Sequence, residues 1–120
     1  MSDWTEQTDG VRWHVLIGTG APADAAADAK LRAEVVSLPI GFRSALRAVS
    51  ARLALDPITG RPAEPGDPER VRITRLASLA DDGESIPIIA HGATVSVVAR
   101  VHRPVGAVGI VRIVRVICGP

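Results

Sequence analysis

The chain has 120 residues, with 14 Lys+Arg against 13 Asp+Glu, a formal net charge of +1 and a single cysteine. That length allows one domain with its own core, and the near-balanced charge singles out no class of partner. One cysteine excludes an internal disulfide and any paired-cysteine metal or redox site. Aromatic residues make up only 2% of the chain, so the core must be aliphatic, built chiefly from Ala and Val.

Residues 1–10, "MSDWTEQTDG", are acidic, polar and without periodicity, which predicts a flexible tail and not a signal peptide. A single domain is expected over residues 11–120. No apolar run approaches the ~20 residues needed to span a bilayer, so the expectation is a cytoplasmic protein with no membrane partner. "VRWHVLI" (residues 11–17) predicts a strand. Gly18 and Gly20 follow, then Pro22 at a position suited to the first helical turn and Asp24 suited to the helix dipole. Leu31, Val35 and Leu38 recur at spacings of four and three, which predicts an amphipathic helix with Asp28 and Arg32 paired on its exposed side. "LPIG" (residues 38–41) ends it, because the residue before proline is steered away from helical geometry.

A second helix is predicted from the stripe Phe42, Ala45, Leu46, Val49 and Leu53, ending at Asp56–Pro57. "RPAEPGDPE" (residues 61–69) is a loop. From Arg70 the pattern changes to period two. Strands are predicted over "RVRITRLASL", over "IPIIA" with Pro87 suited to an edge, over "ATVSVVARVHR" and over "VGIVRIVRVI". Turns at 81–84 and 104–107 separate them. The order is β-α-α-β-β-β-β. It predicts an α+β fold with a helical hairpin on one face of an antiparallel sheet.

"IGTGAPA" has the G-x-G-x-x-A outline of a dinucleotide-binding turn. Such a site needs a second parallel strand after the helix, with an acidic residue about 20 positions on to hold the ribose. Here a helix follows a helix, so the glycines read as a strand-to-helix connection. No G-x-S-x-G turn, HExxH or Cys/His cluster offers a nucleophile or metal ligands, so neither metal nor cofactor is expected. Asp81, Asp82 and Glu84 read as a charged turn. Any chemistry must come from Arg and His. From Ile86 to Pro120 there is no Asp or Glu, while Arg100, Arg103, Arg112, Arg115, His91 and His102 all lie there. A local field of that sign can attract a polyanion.

The strand, the helix closing at Leu38–Pro39 and the second helix with "ALRAVSARLALDPITGRP" resemble the RelE/ParE superfamily of toxins from bacterial toxin–antitoxin modules. The terminal strands resemble that family in hydrophobic pattern, and the likeness spans residues 12–117. It implies an antitoxin partner and one of two activities. RelE-like members cleave mRNA on the ribosome without metal, using cations around the phosphate and a proton-exchanging pair. ParE-like members inhibit gyrase without such a set. The chain departs from the ribonucleases in having Ser96 near the expected Arg, no Tyr, and Cys118–Gly119–Pro120 at its end.

Alternation along the strands places Val95, Val97, Ala99 and Val101 toward the helices and Ser96, Arg100 and His102 away from them. It likewise turns Val71 and Ile73 inward and Arg70, Arg72 and Thr74 outward. Read with the resemblance, Arg72, Arg100 and His102 are the candidate catalytic set. Arg70, Arg72, Arg100 and Arg103 are the candidate RNA-phosphate ligands. The alternatives are a non-catalytic binding protein, either gyrase-directed or an inactive homologue, and a structural α+β interaction domain.

Overall fold

A computed structural model of the chain describes residues 13–57, 71–76, 85–102 and 109–119. The expected tail at 1–10, the loop at 61–69 and the turns at 81–84 and 104–107 lie outside the described residues, as do Arg70 and Arg103. The architecture is α+β. Strand β1 (His14–Ile17) leads through a 3-10 turn (Pro22–Asp24) into α1 (Ala25–Val36) and α2 (Ile40–Leu55). Strands β2 (Arg72–Arg75), β3 (Ser85–His91), β4 (Val95–His102) and β5 (Ile110–Cys118) follow.

The sheet order is β1-β5-β4-β3-β2, and β1 runs parallel to β5 while every other pair is antiparallel. The sheet is therefore mixed, not antiparallel as expected. β1 and β2 lie at opposite edges of the sheet, and from β2 the meander returns until its last strand lies beside the first. Both valine-rich strands, β4 and β5, thus become interior. The edges fall to β1 and β2, four residues each, and short edges offer little template for unwanted pairing.

Inward alternation builds the core. Val95, Val97, Ala99 and Val101 from β4, with Val111 and Ile113 from β5 and Ile88 and Ala90 from β3, pack against Leu46, Val49 and Leu53 of α2. Val35 of α1 joins from the side, as do Leu38, Phe42 and Ala45. The stripe predicted for the second helix faces the core, with Phe42 and Ala45 partly buried, and Arg52 is buried beside it. The Trp13 backbone N–H donates to the Ala54 carbonyl at 2.8 Å, tying the start of β1 to the last turn of α2. Its buried indole packs on Gly109 so closely that no side chain fits there.

Two local features shape the opposite face. Val98 pairs with Arg115 while Ala99 pairs with Ile113, so Val114 is the extra residue of a β-bulge. The bulge resets the alternation of β5, and Arg112 and Arg115 emerge on the same side. Pro87 sits on the interior strand β3, not on an edge as expected, and it sets where β2 stops. The Leu76 N–H donates to the Pro87 carbonyl at 3.0 Å. Proline has no N–H to return, so the ladder ends after Arg75.

A methyl group at Gly109 would run into the Trp13 ring. Gly109→Ala is expected to destabilise the fold by about 1–3 kcal/mol, the usual cost of overpacking, seen as a lower urea midpoint. An unchanged midpoint would show that Trp13 is not fixed there.

Candidate functional site

The sheet face opposite the helical core can be laid out as rows of residues paired across the strands. The first row is His14, Ile110, His102 and Ser85, and the second is Leu16, Arg112, Arg100 and Pro87. Past the bulge come Arg115, Val98, Ile89 and Thr74, then Ile117, Ser96, His91 and Arg72. Rows are spaced about 7 Å along the strands and neighbouring strands about 5 Å apart. Every row carries a cationic or titratable basic side chain, and among the described residues no Asp or Glu lies on this face. All of the protein's histidines are on it (the chain has 3).

The positions of the expected site residues follow from these rows. Arg100 and His102 are neighbours on β4, as alternation predicted, and Arg72 shares their face. Arg72, however, pairs with His91 at the far end of the sheet, roughly 20 Å from His102 by strand spacing. Arg72 and His102 therefore cannot act on one phosphate together, although they can hold different parts of one polyanion. Arg70 and Arg103 are outside the described residues.

Sequence reasoning missed two participants that the fold brings to Arg100 and His102. Ser85 pairs with His102, and the Arg100 Nη1 donates to the Ser85 Oγ at 2.9 Å. Arg112 stands directly across from Arg100. Like charges set opposite one another in a sheet repel, and a bound anion would relieve that repulsion. The two side chains diverge: Arg100 reaches toward Ser85, whereas the Arg112 guanidinium lies over Gly20, within 2.6 Å of where a Cβ would be. At the far end the His91 Nδ1 and the Ser96 Oγ are 3.1 Å apart. A hydroxyl can donate to a bare ring nitrogen or accept from a ring N–H, so which group donates depends on the tautomer of His91.

The glycine turn is not an open cradle. Asp28, expected on the exposed side of α1, is only 7% exposed. The Thr19 N–H donates to its Oδ1 at 2.9 Å and the Gly20 N–H to its Oδ2 at 3.0 Å. The Thr19 hydroxyl donates to the Asp24 Oδ2 at 2.7 Å and accepts from the Ala21 N–H at 3.2 Å. Backbone donors that could hold a phosphate are thus given to the protein's own carboxylate. Gly18 (φ +97°) and Gly20 (φ +79°) supply the backbone this requires, and a Cβ at Gly18 would stand 2.5 Å from the Asp28 Cγ. These two amide donors hold the Asp28 carboxyl below its ordinary value of 3.8; Arg32 and Arg112 lower it further, against the opposing effect of burial.

Among the described residues no group of three or more His, Cys, Asp or Glu could hold a metal ion. No described helix is long and apolar enough to cross a membrane. No protein-family model, curated protein or solved structure matches the chain.

A carboxyl depressed in the folded state stabilises the fold at and above its ordinary pKa, and this contribution is lost as pH falls through the folded value. Asp28→Asn is therefore expected to lower the urea midpoint at pH 7, with a smaller deficit relative to wild type at pH 3. An equal deficit at both values would exclude charge as the source of the stabilisation. Gly18→Ala is expected to cost more than about 1 kcal/mol at either pH, because both its backbone conformation and its space are refused.

Proposed function

We propose that the face of the sheet opposite the helices binds the phosphate backbone of single-stranded RNA, and that the protein is the toxin-like member of a toxin–antitoxin pair acting on translation. One observation carries the reading: Arg72, Arg100, Arg112 and Arg115 share a face with His14, His91 and His102, and no described Asp or Glu is on the strands of that face, although Arg112 also acts on Asp28 beneath the glycine turn. Four arginines on one sheet face present a local field there despite a net charge of +1. Arg100, Arg112, Ser85 and His102 form the part of the face best suited to phosphate chemistry. Guanidinium groups neutralise phosphate oxygens, and an imidazole exchanges protons near neutral pH. The helical hairpin and the resemblance to RelE/ParE toxins support the toxin reading, with a cognate antitoxin as partner and the ribosome and its mRNA as target.

The separation of Arg72 from His102 favours a second reading, in which the face grips nucleic acid without cutting it. Such a protein would block translation by occupancy.

Titration of a labelled oligo(U) with the protein at increasing salt tests the common element. Each phosphate neutralised on a single strand contributes a slope of about −0.7 in log K against log salt. Arg100→Ala with Arg112→Ala is expected to weaken binding and flatten that slope by roughly 1.4. Binding that is independent of salt, or unaffected by this pair, would refute the phosphate reading. Expression in a bacterial host is expected to arrest growth, and mapping of transcript 5′ ends then separates cleavage from occupancy. Normal growth with the folded protein present would refute the toxin reading.

A further inference from the structure

We infer, on the basis of the RNA-binding reading above, that this face grips the backbone of a strand and does not tell adenine, uracil and cytosine apart. Its substrate is then a class of strands and not a sequence. The argument rests on which chemical groups the chain owns and where the fold puts them. Base edges are read by matched hydrogen-bonding groups: an Asn or Gln amide for adenine, a carboxylate for cytosine, a guanidinium fork for guanine. The chain contains no Asn, and its one Gln, Gln7, lies outside the described residues. No Asp or Glu stands on the described strands of the face. Of these three kinds of reader the described face holds only the guanidinium, so guanine is the one base it can favour.

The hydroxyls and imidazoles add no code of their own. The Ser85 Oγ already accepts from the Arg100 Nη1 at 2.9 Å, and the Ser96 Oγ lies 3.1 Å from the His91 Nδ1. A hydroxyl donates or accepts, and a neutral imidazole offers one of each, so neither rejects a base. Stacking would not discriminate either, because every base has a flat face. Stacking would add affinity, but the large rings are placed elsewhere. The chain has 1 Phe, 2 Trp and no Tyr. Trp13 is buried and Phe42 packs against the core, while Trp4 lies outside the described residues. Between its arginines the face offers the aliphatic side chains of Leu16, Ile89, Val98 and Ile117. What holds a strand there is neutralisation of its phosphates, with Arg72 and Arg115 exposed and Arg112 half-buried.

The experiment is titration of labelled oligo(U), oligo(C) and oligo(A) of equal length with the full chain at pH 7.5, each over a range of salt. The three affinities are expected to agree within about threefold, against roughly tenfold for a single base that is read. Their lines of log K against log salt are expected to run parallel. Each line is expected to extrapolate to almost no binding at about 1 M salt, where counterion release no longer contributes. Arg72→Ala with Arg115→Ala is expected to weaken all three strands by the same factor. A wider spread among the strands, an unequal loss in the double variant, or firm binding left at high salt would overturn this inference and leave RNA binding standing. Absence of binding to every strand would overturn both.

Discussion

Period two is a strict rule for a strand, and β5 satisfies it only by breaking it once. Arg112 and Arg115 are three residues apart in "IVRIVRVI", so an uninterrupted strand would turn one of them into the apolar layer under α2. An arginine there would have to be paired or desolvated at a cost of several kcal/mol. The extra residue at Val114 removes the conflict. It lets Val111, Ile113 and Val116 all point to the core while both arginines point away. The placement of both arginines opposite the helices and the apolar character of the core side of β5 are therefore two results of a single inserted residue.

The turn after β1 follows a related logic with the opposite sign. Consecutive backbone N–H groups in a glycine-rich turn form a concavity that attracts anions. This protein fills the concavity from within, using Asp28, and the filled turn fixes where α1 begins. Arg112 lies over the same turn and acts on the same carboxylate. The internal anion thus also helps to hold one cation of the opposite sheet face in place, linking a helix-start interaction to the candidate site.

Much of this was legible in the sequence because it depends on local periodicity. The stripe from Phe42 to Leu53 and the alternation of Val95 to His102 are each decided by residues within a few positions of one another. The outward placement of Arg72, Arg100 and His102 came from that same alternation. What stayed hidden depends on pairing partners far along the chain. The parallel joining of β1 to β5 leaves no local trace, and neither does the register that sets Arg72 at the opposite end of the sheet from His102. Ser85 follows a charged turn and reads as punctuation until β3 pairs with β4. Asp28 fits an ordinary i,i+4 pair with Arg32, and only the path of the preceding turn shows that its carboxylate is spoken for. The three-residue spacing of Arg112 and Arg115 was the one available hint of a bulge.

The parallel alignment of β1 with β5 joins His14 to Ile110, positions separated by 110 − 14 = 96 residues. Contacts of such separation form late, since a long loop must close before they contribute. β1 and the helices are synthesised before β5, so they wait without the strand that joins β1 to β4. The surface bearing Arg112 and Arg115 is therefore complete only once β5 has docked, however early the rest of the sheet has formed.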